Sequence, residues 1–194
     1  MDLVLLAQAA RLIYIRSQPD RRSVTRQYYV YRYRLDGNEA FLIWYSNQVD
    51  GLHVDAAGVV PVFTTARDLA DYATQHGITL ASLEPGFADL DPVARWLGNP
   101  DSDQVNPSMF KDAWNLFSDL SNSIGGDFDA DKDLTQGIYD KLFWGCNLPA
   151  MTPEGKAYEP LWDDSEIEIM SGTLAHGLTM FRKALACDAP TTLS

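Results

Sequence analysis

The chain has 194 residues, 46% hydrophobic and 22% charged, which excludes a disordered, collagen-like or disulfide-scaffold polymer and fits one ordinary domain. Fifteen Lys and Arg against 27 Asp and Glu leave a formal charge of −12, the wrong sign for a nucleic-acid coat protein, which must neutralise phosphate. No apolar run approaches the roughly 20 residues of a membrane helix, and two cysteines, Cys146 and Cys187, point to a reducing compartment, with the cytoplasm as the expected location.

The chain opens MDLVLLAQAARLIYIR. Ala7-Gln8-Ala9 has the look of a cleavage site, but Asp2 replaces the basic n-region and the apolar stretch is only Leu3 to Leu6. A secretory core needs about 7–15 residues. Residues 1–20 therefore read as an extended or weakly ordered segment. Residues 1–34 hold seven Arg and two acids, whereas the rest holds eight Lys and Arg and 25 acids. Such asymmetry marks either an interaction surface or internal pairing of a basic segment with an acidic one.

Tyr28 to Leu35 alternates, with Tyr29, Tyr31, Tyr33 and Leu35 on one face and Val30, Arg32 and Arg34 on the other, the period of a strand. Asp36-Gly37 supplies a tight turn, and FLIWY, Phe41 to Tyr45, reads as a central strand. A further strand is predicted at Val59 to Phe63, at an edge because Pro61 lacks a ladder donor. Thr65 caps a helix that buries Leu69, Tyr72 and Ala73 and ends at Gly77. Ile78 to Leu83 is the next strand, and Glu84-Pro85-Gly86 breaks the chain.

The pattern then becomes helical. Asp91-Pro92 opens a short helix toward Leu97. Asn106-Pro107 starts a longer one, with Phe110, Ala113, Trp114, Phe117, Leu120 and Ile124 at helical spacing before Gly125-Gly126. Leu134 to Trp144 buries Ile138, Leu142 and Phe143, and Gly145 to Trp162 is a proline-rich loop. The last helix carries an apolar stripe of Ile167, Met170, Leu174, Leu178, Phe181 and Leu185, with Asp164 or Ser165 as cap. The expected fold is α+β: an N-terminal, mostly antiparallel sheet with one crossover helix, then C-terminal helices packed on it. It forms a single domain over 1–194, with a subdivision point near residue 84.

Asp127, Asp129, Asp131 and Asp133 form an oxygen-rich run, but neither counting register puts a glycine at the sharp turn of a calcium loop. The run reads instead as a solvated acidic loop whose last Asp caps the next helix. His53, His76 and His176 share no ligand spacing, and His176 falls opposite the apolar stripe. Cys146 has no activating base nearby and reads as a small buried hydrophobe. There is no GxGxxG, P-loop or GxSxG. No metal, no cofactor and no catalytic residue is expected, and the chain reads as a binding protein rather than an enzyme. RQYYVYRYR has the basic–aromatic interleaving of single-strand nucleic-acid binders, but it suits equally a hairpin with cross-strand aromatic pairs and acid-facing arginines.

The stretch YDKLFWGCNLPAMTPEGKAYEPLW, and with it about residues 107–186, resembles bacterial immunity proteins of the contact-dependent growth inhibition type. The resemblance implies an acidic protein that neutralises a cognate toxin domain, often a basic nuclease, by occluding its active cleft. That group shares no single fold, so no residue is carried over by role. The charge pattern supplies the candidate partner-binding surface: Asp127, Asp129, Asp131, Asp133, Asp163, Asp164, Glu166 and Glu168, with Trp144, Tyr158 and Trp162 as aromatic anchors. Residues 127–168 hold eleven acids and three lysines. The expected partner is a basic protein and not a membrane, and the net charge disfavours nucleic acid. Two alternatives stay open: a small hydrolase or transferase, and a regulatory nucleic-acid binder using the Arg/Tyr hairpin.

Overall fold

The computed structural model describes residues 26–186, so the expectations for the leading segment and for Cys187 lie outside the described residues. In chain order the elements are β1 (Gln27–Leu35), β2 (Asn38–Ser46), β3 (Gly51–Leu52), α1 (Ala66–Gln75), β4 (Leu80–Asp89), α2 (Asp91–Trp96), a 3-10 turn (Ser102–Gln104), α3 (Pro107–Ile124), α4 (Lys132–Gly145) and α5 (Asp164–Ala186). The strands form one mixed sheet in the order β3-β2-β1-β4, with β4 parallel to β1 and the other pairs antiparallel. This is the α+β arrangement that the patterning predicts.

The hairpin closes through Asp36 and Gly37, whose φ values of 53° and 74° give the doubly left-handed turn that matches strand twist. Alternation then sends each strand's residues to two sides. Val30 and Ile43 pack with Leu69 and Ala73 of α1 on one face. Tyr33, Leu35 and Leu42 enter a larger core on the other, built with Phe117, Met170 and Phe181 from α3 and α5. Residues on both sides of position 84 share that core.

Three expectations change. Val59 to Phe63 is not a strand; only Phe63 pairs, in a single bridge to Phe41. Asp55 gathers the backbone N–H groups of Ala57 and Val59 at 2.8 and 3.0 Å, which curls this segment into a loop, and Pro61 has no N–H to offer a ladder. The third strand is instead the two-residue β3. Its Leu52 N–H donates to Ser123 Oγ of α3 at 2.7 Å.

Second, Glu84-Pro85-Gly86 does not interrupt the chain; β4 runs through it to Asp89. The pairing steps from Tyr29↔Ser82 to Tyr31↔Gly86, so four residues of β4 span two of β1. The sheet edge tolerates this bulge and its proline. Third, the helix caps sit earlier than predicted. Asp131, not Asp133, caps α4 by accepting Leu134 N–H at 3.2 Å. Asp163, not Asp164 or Ser165, accepts Glu166 N–H at 2.9 Å, and the Glu166 carboxylate accepts Asp163 N–H in return at 3.1 Å.

Candidate functional site

The candidate carboxylates fall into two groups rather than one surface. Asp127, Asp131 and Asp133 surround the start of α4 and are exposed. Asp127 lies 3.0 Å from His176 Nε2, halfway along α5. Asp163, Asp164 and Glu168 are exposed at the start of α5, beside the far end of α4, where Lys141 pairs with Glu166. Residues 131 and 141 are about 15 Å apart along a helix at 1.5 Å per residue.

Asp129 leaves the candidate surface. It is buried, 8% exposed, and its carboxylate accepts from Trp114 Nε1 at 3.2 Å, from the Thr135 hydroxyl and from Lys132. A φ of 53° at Asp129 swings the side chain inward, a backbone state that Asp tolerates better than most residues. The run is therefore not uniformly solvated, because one of its four carboxylates is a core acceptor.

The aromatic anchors are half-buried. Trp162 packs against the main core, with Lys141 Nζ 5.5 Å from its ring centre. Trp144 meets Phe143 edge-on at 5.4 Å. The Tyr158 backbone is clamped at both N–H and C=O by the Asn147 carboxamide. Trp162 and the Asn147–Tyr158 clamp hold the proline-rich loop to the body. What the loop exposes is Leu148, Met151 and Leu161, the last 84% exposed. Sequence reading missed these three, because a lone apolar residue among prolines carries no periodic signal.

The arginine face of the hairpin is paired with acids. Arg32 and Arg34 both bind Glu39, Arg34 also reaches Asp89, and the two guanidinium groups lie 4.5 and 5.8 Å from the Phe87 ring centre. The tyrosines opposite face inward: Tyr33 meets Phe181 edge-on at 5.1 Å. Tyr33 is buried there, and Tyr29 is half-buried, tilted against Trp44 at 5.5 Å.

The histidines are less scattered than their spacing implied. His53 Nε2 lies 3.5 Å from the Tyr72 hydroxyl, and His76 stacks on the same ring at 3.8 Å. Burial pulls the His53 pKa down. Cys146 donates to Leu142 O at 3.2 Å, and burial pushes its thiol pKa up, away from nucleophilic readiness. Among the described residues, no three His, Cys, Asp or Glu side chains converge as a metal site.

Sequence reading also missed a cavity of about 340 Å³ between the sheet and α3. Tyr31 comes from β1, Trp44 from β2 and Asp50 from the β2–β3 turn. Asp112, Asn115 and Asp119 come from α3, and Tyr139 from α4. Positions 112, 115 and 119 form one polar stripe beside the apolar stripe of α3, a periodicity visible in the sequence. The Trp44 indole donates to Asp119 at 2.8 Å, and Tyr139 donates to Asn115 at 2.9 Å. Burial pushes the Asp119 pKa up to about 6 against that hydrogen bond, with the nearby Asp50 charge adding to the rise. Tyr31 is raised by burial and by Asp112 and Asp119. The space is lined by carboxylates, phenols, an indole and an asparagine, with no histidine, cysteine, serine or threonine among them.

No helix among the described residues is long and apolar enough to cross a membrane. Comparison with protein-family models, with curated proteins and with solved structures gives no match to this chain.

Proposed function

We propose that this chain is an acidic binding protein that neutralises a cognate basic toxin domain, a nuclease in the first instance, by covering its active cleft in the bacterial cytoplasm. One observation carries the reading. Between residues 127 and 168, Lys132 and Lys141 are held by Asp129 and Glu166, while eight acids stay exposed: Asp127, Asp131, Asp133, Glu154, Glu159, Asp163, Asp164 and Glu168. Both lysines are paired with acids outside that exposed set; Lys132 itself stays solvent-exposed, and so does Lys156.

A nuclease cleft is positive because it binds phosphate. Exposed carboxylates steer such a partner and raise association toward about 10⁸ M⁻¹s⁻¹ at low salt. The neighbouring Leu148, Met151 and Leu161 then supply apolar area to slow release.

The test is genetic and kinetic. The reading frame that neighbours this one in its host is expressed alone and together with this chain. Toxicity abolished by co-expression, with a salt-sensitive one-to-one complex, supports the reading. A harmless neighbour that does not bind overturns it. If D127N/D131N/D133N and D164N/E168Q both leave the association rate unchanged, the chosen face is wrong.

A further inference from the structure

We propose that the cavity between the sheet, α3 and α4 binds an organic cation, an ammonium or guanidinium group on an aliphatic stem, held by Asp50, Asp112 and Asp119 between the rings of Tyr31, Trp44 and Tyr139. The inference stands apart from the toxin reading, since the cavity is walled by side chains that the acidic face does not use.

Charge selects the sign of the ligand. Three carboxylates line the space and no cationic side chain does. Lys111 pairs with Asp112 at 3.0 Å and lies near Tyr139, so one of the three carboxylates already has a partner and Asp50 and Asp119 carry the uncompensated charge. Asp50 accepts a single backbone N–H, from Asn47 at 3.2 Å, and Asp119 accepts the Trp44 indole. A carboxylate offers about four lone-pair sites, so each retains acceptor capacity. An anion is repelled, and a neutral guest would leave charge facing an apolar surface.

Size and shape select an organic ion over a metal. The 340 Å³ volume lies in the range of small-molecule sites, roughly 300–1,000 Å³, and exceeds what a bare ion fills. The carboxylates do not converge on one point as metal ligands must. A group with several spaced N–H donors matches such a spread, and tyrosine and tryptophan faces attract cations directly.

Asp119, raised to about 6, is the group that titrates near neutrality. The groups around it are Asp50, Asp112, Trp44 and the Tyr31 and Tyr139 hydroxyls, with Lys111 behind Asp112. Burial raises both phenols, so they stay protonated. A bound cation replaces the proton on Asp119, and binding weakens as pH falls below 6.

The ¹H–¹⁵N signal of the Trp44 indole, assigned by its loss in W44F, reports on the cavity wall. Butylammonium and butylguanidinium are titrated against the whole chain, with butanol as the uncharged control. Saturable shifts by the cations and none by butanol are expected, with binding at least about tenfold weaker in D119N and several-fold weaker at pH 5 than at pH 7.5. Capped lysine and arginine amides form a second arm. Binding as tight as the free cations assigns the site to a protein side chain, and weaker binding assigns it to a free amine. Equal shifts with butanol, no saturation by about 50 mM cation, or the same affinity at both pH values overturns the proposal. The pH arm uses the native chain and does not depend on how D119N folds.

Discussion

The indole N–H of Trp114 donates to the carboxylate of Asp129 across 3.2 Å, inside the protein rather than at its surface. The same carboxylate holds Thr135 and Lys132, so it ties the entry of α4 to the middle of α3. Asp129→Ala leaves a buried indole donor and a buried hydroxyl without their acceptor. A loss of about 3 kcal/mol is expected from such a truncation. Asp129→Asn keeps an acceptor and should lose less. Asp133→Ala, four residues on and exposed, should stay within about 0.5 kcal/mol. Urea unfolding of the three variants measures this. Equal losses at 129 and 133 would contradict the inward assignment.

Gly177 lets α5 approach α3. A Cβ built there would overlap the Phe117 ring and sit 2.6 Å from Phe128 Cε2. Helix propensity favours alanine over glycine by about 1 kcal/mol, but overpacking a filled core costs about 1–3 kcal/mol. Gly177→Ala should therefore destabilise. Gly172 lies on the same helix with nothing within 4 Å of its virtual Cβ. Gly172→Ala should stabilise by about 0.4–1 kcal/mol. Thermal melts of the two variants should shift in opposite directions.

These cases show which parts of the molecule the sequence displays. The stripes of α3 and α5 repeat over many turns, so propensity and burial agree and both helices are legible. The hairpin is legible because alternation and Asp36-Gly37 point the same way. β4 was cut short because Pro85 reads as a breaker, and only its place at a sheet edge, beside a bulge, makes it tolerable. Asp129 looks like its neighbours, and its inward turn depends on one backbone angle. The cavity joins residues from five segments, and a single local pattern displays only its α3 stripe.

Ser123 links α3 to the shortest strand. Its hydroxyl accepts Leu52 N–H at 2.7 Å and donates to Asp119 O at 2.7 Å. A two-residue strand has too few ladder bonds to hold itself. Ser123→Ala should cost about 1 kcal/mol globally, and its stronger signature is local. Amide exchange at Leu52 should accelerate more than at Ile43 in the adjoining strand. Unchanged protection at Leu52 would mean that β2 alone holds β3.

Asp119 makes stability depend on pH in the direction opposite to the usual paired carboxylate. Its folded pKa of about 6 lies above the ordinary 3.8, because burial disfavours the charge. Between those values the folded chain holds a proton that the unfolded chain has released. Stability contributed by this group therefore falls as pH rises from about 4 to 6, and the deficit is complete above that window. Asp119 is only partly buried, so solvent screening reduces the effect to roughly 1–3 kcal/mol. Asp119→Asn carries no charge and still offers an oxygen to the Trp44 indole. It should be more stable than the native chain at pH 7.5, and the advantage should shrink toward zero near pH 4. Taking the difference between the two proteins cancels the other titrating groups to within their coupling. A difference that stays constant across that range would show that Asp119 remains ionised throughout, and that the cavity is wetter than its walls imply.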